Sequence, residues 1–212
     1  MRGVLEKDYR SCREVALMGY AIAALLTVLI VLIPGIDPSN LIYLFAYFGV
    51  LVVMTTISED VKNGYAYLMT YPIDAGDYVF AKLWFALGVE LQYWLLSRVC
   101  LVAKALSDKA PLNARELLTN GNFYFISGIA LLMLFLLVLL KCGVQGFFYL
   151  VGGFALLGVV FGTTFMASQS LVEGVVKIGS FAYFVEIVGS VAVLLTFLFA
   201  HLSVRVLEHK EF

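Results

Sequence analysis

Runs of roughly 20 apolar residues recur along the whole chain, and as a helix each is long enough to cross a hydrocarbon core of about 30 Å. The runs occupy 15–36, 41–58, 79–106, 123–140, 145–167 and 181–203. Composition agrees with this reading. Of the 212 residues, 62% are hydrophobic and 14% charged, with a mean hydropathy of +0.97, whereas soluble domains average about 45–50% apolar and roughly a quarter charged. The expected fold class is an all-α polytopic membrane protein. It has six transmembrane helices in one transmembrane domain over 1–212, with no soluble domain, linker or 20–50-residue repeat. The inverted-repeat signature of many secondary transporters is not visible.

The first run is too long for a signal-peptide h-region of about 7–15 residues and has no small-x-small cleavage site after it. Turn chemistry ends it instead, at Pro34-Gly35-Ile36-Asp37-Pro38. Before it, Arg2, Lys7, Arg10 and Arg13 alternate with Leu5, Tyr9, Cys12 and Ala16. This is the pattern of a short amphipathic helix lying in the interface. The third run is long, so it extends beyond the bilayer or tilts. Cys12, Cys100 and Cys142 are widely spaced, which predicts free thiols rather than a disulfide framework or zinc site.

Net charge is −1, which gives no case for nucleic acid; the distribution of positive charge says more. Placing both termini in the cytoplasm puts nine Lys/Arg inside (2, 7, 10, 13, 62, 82, 141, 205, 210) and four outside (104, 109, 115, 177), with Arg98 inside a helix. The excess favours this orientation, although the 104–115 loop runs against it.

Between the second and third runs lies a polar island, Glu59 to Lys82. Val61, Tyr65, Leu68, Met69 and Pro72 recur at helical spacing as one apolar face, with Glu59, Asp60, Lys62 and Asn63 on the other side. The acidic pair reads as the start of a surface helix, where it suits the positive end of the helix dipole. Pro72 ends that helix, and Asp74 is placed as N-cap of the next, with Asp77 three residues on imitating a capping box. The expected object is a surface helix joined by a short turn to a membrane helix, so that a push on one reaches the other.

An acidic residue after the second span, a helix, a proline turn and a basic residue opening the third span together resemble ABC transporter type-2 permeases. Here the matching pieces are Glu59, Asp60, Leu68-Met69-Thr70-Tyr71-Pro72-Ile73 and Lys82. Tyr71 stands where leucine usually precedes the proline, and Asp74-Ala75 replaces a small-polar and basic pair. The resemblance implies a six-span permease paired into a homodimer in the bacterial cytoplasmic membrane. Each subunit would dock a separate cytoplasmic ABC ATPase through a coupling helix, here Glu59, Asp60, Tyr65, Leu68, Met69, Pro72 and Lys82. ATP and Mg would belong to that ATPase, and this chain needs no cofactor of its own.

Within the membrane, Glu90, Gln92 and Arg98 lie in the third span and Glu186 in the sixth. Buried ionisable groups usually face a bundle interior or a watery cavity. By helical rise of about 1.5 Å per residue, Arg98 and Glu186 both reach the outer part of the membrane and can pair, while Glu90 falls near the middle. Unless it meets a partner, Glu90 is expected to be protonated or to face a wet lumen. Lining or gating a translocation path is one reading of Glu90, Arg98 and Glu186; hydrogen bonding between helices is the other. Gly158 and Gly162 form GxxxG, which permits close helix packing.

There is no GxxxxGK[ST] and no HExxH, and Ser127-Gly128 lacks a GxSG context. A nucleotide-hydrolysing chain or an intramembrane hydrolase is therefore not expected. The leading expectation is the membrane subunit of an ATP-driven exporter for a hydrophobic or amphipathic substrate, a peptide before a drug or lipid. The alternatives are a self-contained channel or secondary transporter coupled through Glu90, and a non-transporting scaffold subunit.

Overall fold

The computed structural model describes residues 2–33, 42–62, 74–109, 121–143, 145–146, 148 and 180–209. These form six helices: α1 (Arg2–Ser11), α2 (Arg13–Leu32), α3 (Ile42–Lys62), α4 (Ala75–Ser107), α5 (Asn122–Cys142) and α6 (Ser180–Glu208). There is no strand among the described residues. Five helices, α2 to α6, are long and apolar enough to cross a membrane. The expected span 145–167, with Gly158 and Gly162, lies outside the described residues apart from its first few.

Hydrocarbon cannot solvate a backbone, so helices that close their own hydrogen bonds are the economical solution. Hydroxyls follow the same logic. Thr27, Thr56, Ser58, Thr196 and Ser203 each donate to a carbonyl three or four residues back in their own helix.

α3, α4 and α5 pack against one another, α2 lies against α4 and α3, and α6 lies along α5 and α4. Ile57, Ala86, Tyr93, Leu132, Met133 and Leu136 are fully buried at the centre. The outward stripes are apolar too: Leu17, Leu25 and Leu32 on α2, Trp84, Leu91, Leu95 and Val99 on α4, and Leu194 and Phe197 on α6 are exposed. Such surfaces are stable against acyl chains, not water.

α4 has 33 residues, about 50 Å at 1.5 Å per residue, well beyond a core of about 30 Å. Its length is used at both ends. Near its C-terminus, buried Lys104 donates to the Ile33 carbonyl at 3.0 Å and pairs with Asp108 at 3.2 Å. Ser107 donates to the Val31 carbonyl at 3.5 Å. α4 thus caps the unsatisfied carbonyls at the end of α2. Lys104 ran against the charge asymmetry in the sequence, and this contact gives it a local reason to be where it is.

α5 begins at Gly121, whose φ of +73° places it in the left-handed region. A Cβ there would also stand 2.6 Å from Ile42 Cγ2. Gly121→Ala should destabilise the fold by about 1–2 kcal/mol, read as a lower thermal midpoint in detergent; an unchanged midpoint would show that the turn relaxes freely.

Candidate coupling site and membrane interior

Four charged residues from three helices meet at the α1 end of the bundle. Lys82 of α4, fully buried, donates to Asp8 Oδ1 of α1 at 2.6 Å and to Asp60 Oδ2 of α3 at 2.6 Å. Asp60 also accepts from Lys7 of α1 and, at 2.9 Å, from the Tyr78 hydroxyl of α4. The Tyr78 ring lies 5.5 Å from the Lys82 ammonium. One turn along, Ser11 donates to Glu59. Two acids and two lysines balance to zero, as burial of charge requires.

This arrangement corrects the reading of the island. Glu59 and Asp60 do not begin a surface helix; they are in the last turn of α3, which runs unbroken to Lys62. Acids are unfavourable at the negative end of a helix dipole; the lysines from α1 and α4 compensate Asp60, and Glu59 accepts from Ser11. Asp60 is also not on an exposed face: at 1% exposure it is more buried than Val61. The apolar spacing extrapolated through Val61 had α3 ending at 58, and so assigned the wrong side. Asp74 does occupy the N-cap position of α4, with extended backbone, but its side chain makes no capping hydrogen bond. The third span therefore starts at Ala75, four residues earlier than expected. Tyr65, Leu68, Met69 and Pro72 lie outside the described residues.

The members of the cluster are not equally held. Asp60 has three partners, whereas Asp8 has Lys82 alone and its Oδ2 has none among the described residues. Burial pushes the Asp8 carboxyl above its ordinary value, with Lys82 opposing that shift. A carboxyl raised in the folded state takes up a proton more readily there than when unfolded. As pH rises through its folded value, Asp8 therefore subtracts from stability. Asp8→Asn should accordingly flatten the mildly acidic part of the stability–pH curve and cost less than loss of Lys82. A steeper acid dependence in Asp8→Asn would contradict this.

Deeper in the bundle, Glu90 is 1% exposed, and neither carboxyl oxygen has a hydrogen-bond partner among the described residues. It fills the notch left by two glycines. A Cβ on Gly49 of α3 would lie 2.8 Å from Glu90 Cδ, and one on Gly128 of α5 would lie 3.3 Å from Oε1. One turn away, Tyr93 is fully buried, stacked on Tyr20 at 5.2 Å between ring centroids and tilted against Phe48 at 6.4 Å. Tyr20 donates to Gln92. The glycine notches at 49 and 128 were not singled out from sequence, because nothing in the spacing of single glycines says which side chain faces them.

Arg98 lies over the Trp94 ring at 4.9 Å and donates to Asn122 Oδ1 at 3.4 Å, which also accepts from Trp94 Nε1 at 2.8 Å. Asn122, at the start of α5, was also missed in the sequence. Glu186 is in α6, but its side chain lies outside the described residues, and so does the expected Arg98–Glu186 pair. Cys12, Cys100 and Cys142 are free, and no group of metal-ligating side chains occurs among the described residues.

Among the described residues, long apolar helices and a neutralised charge cluster at one end define a polytopic helical membrane protein. A family model described as "ABC-2 family transporter protein" matches residues 3–208. The chain belongs to the ABC-2 transporter family and is a permease subunit of an ABC transporter. It is thus a multi-pass membrane protein of the plasma membrane that works with an ABC ATPase and does not itself perform the catalysis. Nothing matches among curated proteins or solved structures.

Proposed function

We propose that the chain is the membrane half of an ATP-driven exporter, working as a homodimer with two separate ATPase subunits that bind ATP and Mg. The segment from Glu59 to Lys82, facing the cytoplasm with both termini, receives the movement of the ATPase. The observation that carries this reading is the joint at its two ends. Asp60 closes the segment on one side and Lys82 on the other, and they are 2.6 Å apart with α1 locked onto both. A force applied between them therefore reaches α3, α4 and α1 together rather than dissipating in a loop. In this reading Asp60 and Lys82 act as positioning residues beneath the coupling surface, while Glu59, Tyr65, Leu68, Met69 and Pro72 supply or shape the surface itself. The aromatic-rich apolar helices suit a hydrophobic or amphipathic cargo, a peptide before a drug or lipid.

The test uses the assembled transporter. Glu59→Lys or Leu68→Asp should leave membrane insertion intact and abolish the permease's stimulation of ATP hydrolysis. Stimulation equal to that of the unmodified complex in both variants would sink the coupling role.

A further inference from the structure

Among the described residues the charge cluster leaves one buried acid unused, Glu90, whose carboxyl has no hydrogen-bond partner there. Glu90 follows Lys82 by eight residues, about 12 Å along α4, and is closed in by α3 and α5. α3 presents no ionisable side chain from Phe48 to Ser58, and α5 none from Phe125 to Leu140. On α4 itself its neighbour is Tyr93, and the nearest titratable group of α2 is Tyr20, stacked on that ring. The titratable residues of α6 whose side chains are described are His201, Arg205 and Glu208, all in its last third; Tyr183 and Glu186 lie outside the described side chains.

An ionised carboxylate deprived of water and of partners is among the costliest groups a protein can bury. Gly49 brings the backbone of α3 so close that a Cβ there would lie 2.8 Å from the Glu90 carboxyl carbon. We propose that Glu90 is an internal proton-binding site whose occupancy is tied to closure of α3, α4 and α5. With the helices closed, the carboxyl carries a proton and packs dry against Gly49 and Gly128. When they part, water enters, and the O–H bond breaks with the proton passing to that water and the charge staying on Glu90. The chemistry is a proton exchange with solvent, and it needs neither oxidant nor co-reactant.

The test is independent of the transport reading, because it uses the full chain in lipid bilayers without the ATPase. Infrared difference spectra between the unmodified chain and Glu90→Gln, at neutral pH, should contain the C=O stretch of a protonated carboxylic acid, lost in the variant. The absence of that band, with an ionised-carboxylate signal in its place, overturns the proposal. If Glu90→Gln does not insert, Glu90→Asp keeps a titratable group, and the band should shift rather than vanish. Closure is tested by wedging the notch. Gly49→Leu, or the milder Gly128→Ala, should diminish the protonated band at the same pH by letting water in. A band unchanged in both wedged variants would break the link between protonation and closure.

Discussion

Lys82→Met should lower the stability of the folded permease by about 3–5 kcal/mol, the usual consequence of removing one partner from a buried charge cluster. The lysine has no exposed surface and bridges Asp8 and Asp60 at 2.6 Å each. Methionine fills most of its volume, so the loss is not a cavity effect. It comes from two carboxylates left with Lys7 as the remaining cation within the cluster. The expected phenotype is a low yield of inserted protein and a much reduced thermal midpoint in detergent. Adding Asp8→Asn should return part of the loss, because it removes the carboxylate with the fewest partners. Non-additivity of about 0.5–3 kcal/mol between the two substitutions is expected of residues in one network. A Lys82→Met permease as stable as the unmodified one would show that the cluster does not hold α1 in place.

At the centre of the bundle, Tyr93→Ala should cost about 3 kcal/mol, the low end of the range for removing a buried aromatic. The low end applies because helices in lipid lose the packing part of the energy but little of the transfer part. Tyr93→Phe should behave in the opposite way. The hydroxyl is buried without a hydrogen-bond partner among the described residues, a condition that costs about 1–3 kcal/mol in protein interiors. It also sits where a Cβ on Gly19 would stand. The phenylalanine variant is therefore expected to be at least as stable as the parent, measured by thermal denaturation under identical detergent conditions. A Phe variant as damaged as the Ala variant would mean that the hydroxyl, and not the ring, organises the seam between α2 and α4.

Hydropathy alone made the membrane helices legible, because the length of an apolar run is set by bilayer thickness. The free cysteines and the long third span were legible for similar reasons of composition and length. The start of the island reads inside out from sequence, since Asp60 is buried and lies in the last turn of α3 rather than opening a surface helix. Helical periodicity can say that Asp60 and Lys82 are near an interface, yet it cannot say that Lys7 and Asp8, more than 50 residues earlier, will neutralise them. Long-range charge pairing leaves no local pattern in a single sequence. The same holds at Glu90, whose depth follows from counting residues, while its seat between Gly49 and Gly128 depends on how three helices cross. Asn122, which gathers Trp94 and Arg98 at the head of α5, lies one residue outside the expected span 123–140 and carries no pattern that singles it out.

The charge cluster also carries a chronology. Asp8 of α1 is synthesised before Lys82, by about 4–15 s at roughly 5–20 residues per second. During that interval Lys7 and Asp8 remain hydrated, and the short helix has no reason to settle in its final place. Asp60 arrives with Lys7 as its counter-charge within the cluster, and the appearance of α4 supplies the ammonium that Asp8 and Asp60 share. α1, made before α3 and α4, therefore docks only once both have appeared, and its docking reports that three helices have been assembled in register. A bulky fusion at the N-terminal end would interfere with this closing step, after α3 and the start of α4 had been laid down.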